Sequence, residues 1–315
     1  MREVSIKNER NCHPTAKRSE DRGIQTLITK WIDQGPRRTM TIVLTIFSLL
    51  FLTTSARAEL IETHDANVIK AKIAELKPGD MALFDVKDIL FNSSDQVMSS
   101  RHKSVYKQKF AEIEDLLGKE EAIRLKSIVL SSYKPMLVDS AIPKIISEAQ
   151  KTGILAFGLT SGKTSEYGVI KNRADLRIKT LKDFGIDFSK SMDLDPIDLG
   201  DHEEVDAAEN GHSIFKEGVI FASRIQKGEV LGRFLAATKL APKKIVFVDN
   251  QLKNINFVGE KCHELGIEYL GIYFTKSAKK PITHLDKDVV DKKFEVLIKE
   301  SKWLSDEEAL SLVKK

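Results

Sequence analysis

Cysteine is nearly absent. The 315-residue chain has two, Cys12 and Cys262, and Cys12 lies upstream of an export-like segment, so the processed body is expected to keep one. That excludes an internal disulfide and a metal site built of thiolates. A bilayer-length apolar run is also missing. The run from Ile42 to Leu52 falls far below the ~20 residues that span a membrane comfortably. Excess charge is missing from the body as well. The formal net charge is +4, but residues 1–58 hold ten Lys/Arg and five Asp/Glu, which leaves 40 basic and 41 acidic residues beyond them, a net of −1. A near-neutral body gives no electrostatic case for a nucleic-acid partner. Gly158, Gly162 and Gly168 match neither a dinucleotide nor a P-loop fingerprint. There is no internal repeat, and His263, beside Cys262, stands too isolated to form a metal pair.

An export signal is present. Arg37 and Arg38 precede the apolar run and Ala56-Arg57-Ala58 follows it. A basic flank, a short apolar core and an A-x-A site read together as a secretory signal peptide, placed at residues 40–58. Residues 1–39 are polar, without hydrophobic periodicity, and read as a disordered or untranslated extension. Met40 is an alternative start, at the cost of the two arginines. The expected mature chain, 59–315, is exported to the periplasm or the medium with no stable membrane span. An uncleaved N-terminal anchor is the alternative.

Beyond the signal, helical and strand patterns alternate. Val68, Ile69, Ala71, Ile73, Ala74 and Leu76 give residues 61–78 a helical spacing. Pro78-Gly79-Asp80 ends it before the apolar strand that begins at Met81. Residues 91–134 are polar and helical in pattern, with Phe110, Ile113, Leu116 and Leu117 on one face. Then follow a helix over 143–151, a strand over 154–159, a helix over 175–184, a strand over 219–222 and a helix over 227–240. A buried strand over 244–248, a helix over 255–265 closed by Gly266, and a strand over 269–273 complete the pattern. Such alternation predicts a parallel sheet with crossovers, of five or so strands. Ligands of such sheets sit beyond the carboxyl ends of the strands.

Four segments converge on that edge. The first strand ends at Asp85. The second ends at Thr160, with Ser161 next to it. Lys227 opens a helix, and the strand Ile245–Val248 ends at Asp249-Asn250. In order these are LFDVKDIL, GILAFGLTSG, GVIFASRIQKGEVL and KKIVFVDNQLKNI. Over about Met81 to Phe274 they resemble the haloacid dehalogenase superfamily, closest to a poorly characterised family of exported bacterial proteins with that fold. The resemblance implies an α/β fold: a Rossmannoid three-layer sandwich around a parallel sheet, with a small helical cap inserted after Leu90, about residues 91–140. It also implies Asp85 as nucleophile, Thr160, Ser161 and Lys227 on a phosphate, and Asp85, Asp249 and Asn250 at Mg²⁺. The partner would be a small phosphorylated molecule.

The sequence departs from that pattern at Ile89, the family's Thr/Val position, at Asn250, where a stronger acidic ligand often lies, and most consequentially just after the nucleophile. The family carries a second aspartate two residues after the nucleophile, as general acid/base, and here that residue is Lys87. With an ordinary pKa near 10.4, a lysine makes a poor base at neutral pH. Lys87 is expected to ion-pair with Asp85 and stand in for the metal, so that Mg²⁺ binding is weak or lost and phosphomonoesterase activity is impaired. Two alternatives stay open: an active Mg²⁺-dependent phosphatase, and a non-catalytic binding protein of the envelope. Residues 193–209 hold eight acids and no Lys or Arg. Their spacing is not that of an EF-hand, and they read as a solvated loop with His202 exposed.

Overall fold

The computed structural model describes residues 59–200, 210–279 and 284–314. The extension, the export segment and residues 201–209 of the acidic stretch, His202 among them, lie outside the described residues.

Strand β2, Met81–Phe84, sits at the centre of an eight-stranded sheet with all four side chains fully buried. A parallel strand covered on both faces has no solvent side, which is why it reads as an unbroken apolar run. It pairs in parallel with β5, Leu155–Thr160, on one side and β9, Lys244–Asp249, on the other. Outward from β9 come β10, Glu268–Phe274, and β1, Glu59–Thr63; outward from β5 come β8, Val219–Phe221, then β7, Ile214–Lys216, and β6, Ile197–Asp198. Within this sheet the β8–β7 and β7–β6 pairings are antiparallel and the others parallel.

Alternate strand residues face opposite layers. Ala82, Phe84, Val246 and Val248 pack with α1 (Ala66–Ala74), α4 (Ile142–Lys151) and α5 (Arg173–Asp183). Met81, Leu83, Ile245 and Phe247 pack with α6 (Lys227–Thr238) and α7 (Leu252–Glu264). The chain is thus α/β, with a mostly parallel central sheet and helices on both faces. The sheet is wider than the sequence pattern predicts. Residues 59–63, read partly as the start of a helix, form edge strand β1 and hydrogen-bond along β10.

After Leu90 the chain leaves the sheet and returns at α4. The excursion contains α2 (Lys103–Leu117) and α3 (Lys119–Ser132), as the helical pattern predicts. Its two ends are tied by an unforeseen antiparallel pair, β3 (Phe91–Ser93) with β4 (Pro135–Leu137), and by Val138 N–H donating to the Leu90 carbonyl at 3.1 Å. The chain's end joins this excursion. After the short α8 (Lys276–Lys279), α9 (Lys287–Glu300) sets Val290, Phe294 and Leu297 against Phe110, Ile113, Leu125 and Val129, with Trp303 in the same core. The last helix, α10 (Asp306–Val313), opens with a reciprocal Ser305–Glu308 capping box. A buried ion cluster fastens the arrangement. Fully buried Lys293 reaches Asp95 Oδ2 at 2.5 Å and Asp306 Oδ1 at 2.6 Å, and Trp303 Nε1 donates to Asp95 Oδ2 at 2.7 Å. Among the described residues no helix is long and apolar enough to cross a membrane.

Candidate functional site

Three of the charged residues singled out in the sequence meet at the carboxyl edge of the sheet. Phe84 is level with Val248 in the β2–β9 register, so Asp85 and Asp249 leave neighbouring strands side by side. Between these two strands the chain order reverses: β5 and β8 lie beyond β2, and the chain then comes back to β9. Ligands of open α/β sheets settle at such a switch point. Lys227, the first residue of α6, reaches into the gap. Its Nζ donates to Asp85 Oδ1 at 2.6 Å and to Asp249 Oδ2 at 2.7 Å. Lys227 is 2% exposed, Asp85 6% and Asp249 0%.

Local sequence explains how the lysine arrives there. An ammonium group at a helix N-terminus faces the positive end of the helix dipole, and burying it unpaired is costly. Two carboxylates offset both terms. Gly228 lets α6 start deep enough: a Cβ there would lie 2.1 Å from the Phe257 carbonyl oxygen of α7. The Phe247 ring lies 5.3 Å from the ammonium. Asp249 is held from its own side, since Oδ1 accepts from Gln251 N–H at 2.8 Å and Oδ2 from Asn254 Nδ2 at 3.0 Å. Asn254, which closes the fourth motif, thus supports Asp249, and Gly228 is the supporting residue to which the sequence pattern assigns no role.

One ammonium does not balance two buried carboxylates. Burial pushes the Asp85 carboxyl up to about 6, and the charge of Asp249 adds to that, while Lys227 pulls the other way. Thr160, the last residue of β5, is buried, and its hydroxyl accepts from Gly162 N–H at 3.2 Å rather than bonding to the cluster. Ser161 is exposed.

The expected Lys87–Asp85 ion pair does not form. Lys87 is exposed, and among the described residues no ion pair includes it; Lys227 is the cation on Asp85. The turn after β2 gives the reason. Leu90 N–H bonds the Val86 carbonyl at 3.0 Å, Asp88 N–H bonds the Phe91 carbonyl at 2.9 Å, and Asp88 takes a positive φ of 65°. That path buries Val86, Ile89 and Leu90 completely, which leaves position 87 facing out.

The donors suit a hard cation in kind. Besides the two carboxylates, Asn250 Oδ1 is buried without a hydrogen-bond partner, and oxygen ligands are what Mg²⁺ takes. The set is thin, however. Among the described residues no group of three or more His, Cys, Asp or Glu gathers, so a third protein ligand would be the neutral amide.

Comparison with known proteins adds a family but no chemistry. A family model described as "Protein of unknown function (DUF2608)" matches residues 62–310. A "Putative outer membrane protein" of Chlamydia trachomatis serovar D is 29% identical over 148 residues, 47% of this chain and 50% of the relative. An "Uncharacterized protein" of Rickettsia conorii is 25% identical over 215 residues, 65% of this chain and 72% of the relative. A second "Putative outer membrane protein", from Chlamydia muridarum, is 44% identical over 61 residues, 19% of this chain and 23% of the relative. The alignments thus span half or less of these chlamydial relatives. No solved structure matches.

Proposed function

This chain belongs to the DUF2608 family, and from that premise we propose that it is an exported envelope protein whose dehalogenase-like crevice binds a phosphate monoester and turns it over poorly. The single observation that carries the reading is the buried Asp85–Lys227–Asp249 cluster at the switch point of the sheet. Dehalogenase-like phosphohydrolases place a nucleophilic aspartate, a lysine and a metal-binding aspartate at that edge. The chlamydial relatives' names, together with the signal-like segment ahead of residue 59, support the envelope location.

In this reading Lys227 holds a phosphoryl oxygen and orients Asp85, and the Thr160 and Ser161 hydroxyls take further oxygens. Asp85, Asp249 and Asn250 would hold Mg²⁺, which supplies charge neutralisation to the phosphoryl group. A carboxylate oxygen of Asp85 forms a bond to phosphorus as the bond from phosphorus to the ester oxygen breaks. The leaving alkoxide must then take a proton, and in the second half a water must lose one to attack the aspartyl-phosphate. Position 87, where dehalogenase-like enzymes carry the acid/base, holds an outward-facing lysine, so both proton transfers fall to solvent. Esters with good leaving groups therefore phosphorylate Asp85 once, and the phosphoryl-enzyme hydrolyses slowly.

Stopped-flow release of nitrophenolate from 4-nitrophenyl phosphate, with Mg²⁺, tests this. The reading expects a burst of about one equivalent per chain, then a steady rate well below the ~1 s⁻¹ floor of ordinary enzymes. It also expects Asp85→Asn to remove the burst. Steady turnover at ordinary enzymatic rates in the natural chain, with no burst, would instead identify an active phosphatase.

A further inference from the structure

A second feature lies at the same sheet edge. A cavity of about 230 Å³ is bounded by Lys87, two residues beyond Asp85, by Gly162, two beyond Thr160, and by Phe221 at the end of β8, while the cluster residues themselves are not in its lining. Four cationic side chains line it, Lys87, Lys163, Arg173 and Arg177, and among the described residues no Asp or Glu does. The rest of the lining is mainly apolar, with Phe91 and Tyr133 prominent.

Two of the cations have no anion among the described residues. Arg177 is half-buried, with its guanidinium 5.1 Å from the Phe91 ring centroid, and among the described residues neither it nor Lys87 has a carboxylate partner. A helix residue of this kind ordinarily finds a carboxylate three or four positions away or extends into water. Here the carboxylates of α5 lie elsewhere: Asp175 pairs with Lys216 and Asp183 with Lys179. Arg173 is oriented by Ser165, donating to its carbonyl at 2.9 Å, and stacks on the Tyr167 ring at 5.1 Å. A guanidinium on an aromatic ring is held flat and loses little freedom when it binds an anion. A concave site with apolar walls and several like-charged groups concentrates ligands of opposite charge.

We propose that this cavity receives the leaving-group half of the phosphate monoester, and that this half carries a second anionic group on an aromatic or otherwise apolar body. The proposal rests on the reading of Asp85, Thr160 and Lys227 as the phosphate site and names the substrate class that this site serves. It also gives Lys87 a role, because this exposed side chain lines the cavity and meets the ligand rather than Asp85.

The test is calorimetric titration of the full chain with three probes, inorganic phosphate, phenyl phosphate and 4-carboxyphenyl phosphate, at low salt with Mg²⁺. The second anion is expected to tighten binding about tenfold over phenyl phosphate, which is about 1.4 kcal/mol. Raising the salt should shrink that ratio. Arg177→Gln and, separately, Lys87→Gln should each bring the ratio toward one; Lys87 is exposed, so its variant cannot fail by unfolding the core. Equal affinity for the two aryl phosphates, with inorganic phosphate still bound, overturns the cavity proposal and leaves the phosphate site standing. Loss of inorganic phosphate binding, with the carboxylated probe still bound in an Arg177-dependent way, supports the cavity and refutes the site at Asp85. Binding of none of the three overturns both.

Discussion

Replacing Asp85 by asparagine is expected to stabilise the fold. Asp85 is almost fully buried, and its carboxyl is pushed from an ordinary 3.8 to about 6, chiefly by burial and next by the charge of Asp249. The folded chain therefore binds more protons than the unfolded chain between those two values. Stability falls as pH rises through that window, and the full penalty of ionising the group is present above about pH 6. A rise of that size corresponds to about 3 kcal/mol. Asparagine keeps an oxygen for Lys227 Nζ and removes the charge, but it also leaves the ammonium with Asp249 alone, so we expect a net gain of about 1–3 kcal/mol at pH 7.5. For a domain of this size that is about 2–10 °C in Tm. The assay is urea and thermal unfolding of both proteins between pH 4 and pH 8. The two curves should converge near pH 4, where wild-type Asp85 is protonated, and separate as pH rises. A variant less stable than wild type at pH 7.5, or a difference that ignores pH, would refute the claim that one ammonium leaves this pair of carboxylates under-compensated.

Two further perturbations probe the supports. Gly228→Ala should cost about 1–3 kcal/mol by over-packing, because the added Cβ meets a backbone carbonyl that has no rotamer to yield. Denaturant titration measures the cost, and weaker phosphate affinity in the variant would show that the start of α6 sets the position of Lys227. Lys293→Met should cost about 3–5 kcal/mol at neutral pH by stranding Asp95 and Asp306. The cost should shrink in acid, since burial already holds the Asp95 carboxyl above its ordinary range and it takes up a proton readily; unfolding curves at two pH values decide this.

How much of this was legible in the sequence depended on the kind of signal. The central strands were, because β2, β5 and β9 are buried on both faces and must be apolar throughout. Asp85 and Asp249 were legible for the same reason, as acids ending such runs. Edge strand β1 was not, since Glu59-Leu-Ile-Glu-Thr63 is half exposed and its few apolar residues fit the adjoining helical spacing equally well. The C-terminal helices escaped notice because their apolar face is completed by the excursion after β2, nearly two hundred residues earlier in the chain. Residue type showed that position 87 is cationic but not where the side chain goes. The turn that buries Val86, Ile89 and Leu90 decides that, and it turns Lys87 away from the carboxylate. Arg177 carries no signal of its own in the sequence, because Phe91, the ring beneath it, lies in a segment more than eighty residues earlier.

The account's central claim is that the carboxylate–lysine–carboxylate cluster handles phosphate. Its most direct measurement is calorimetry of inorganic phosphate, with Mg²⁺, against the wild-type chain, Thr160→Val and Lys227→Met, each shown to be folded by circular dichroism. The account predicts one site per wild-type chain, affinity reduced about tenfold by the loss of one hydroxyl contact, and no detectable binding without the lysine. Undiminished binding in folded Lys227→Met, or none in the wild type, would contradict it.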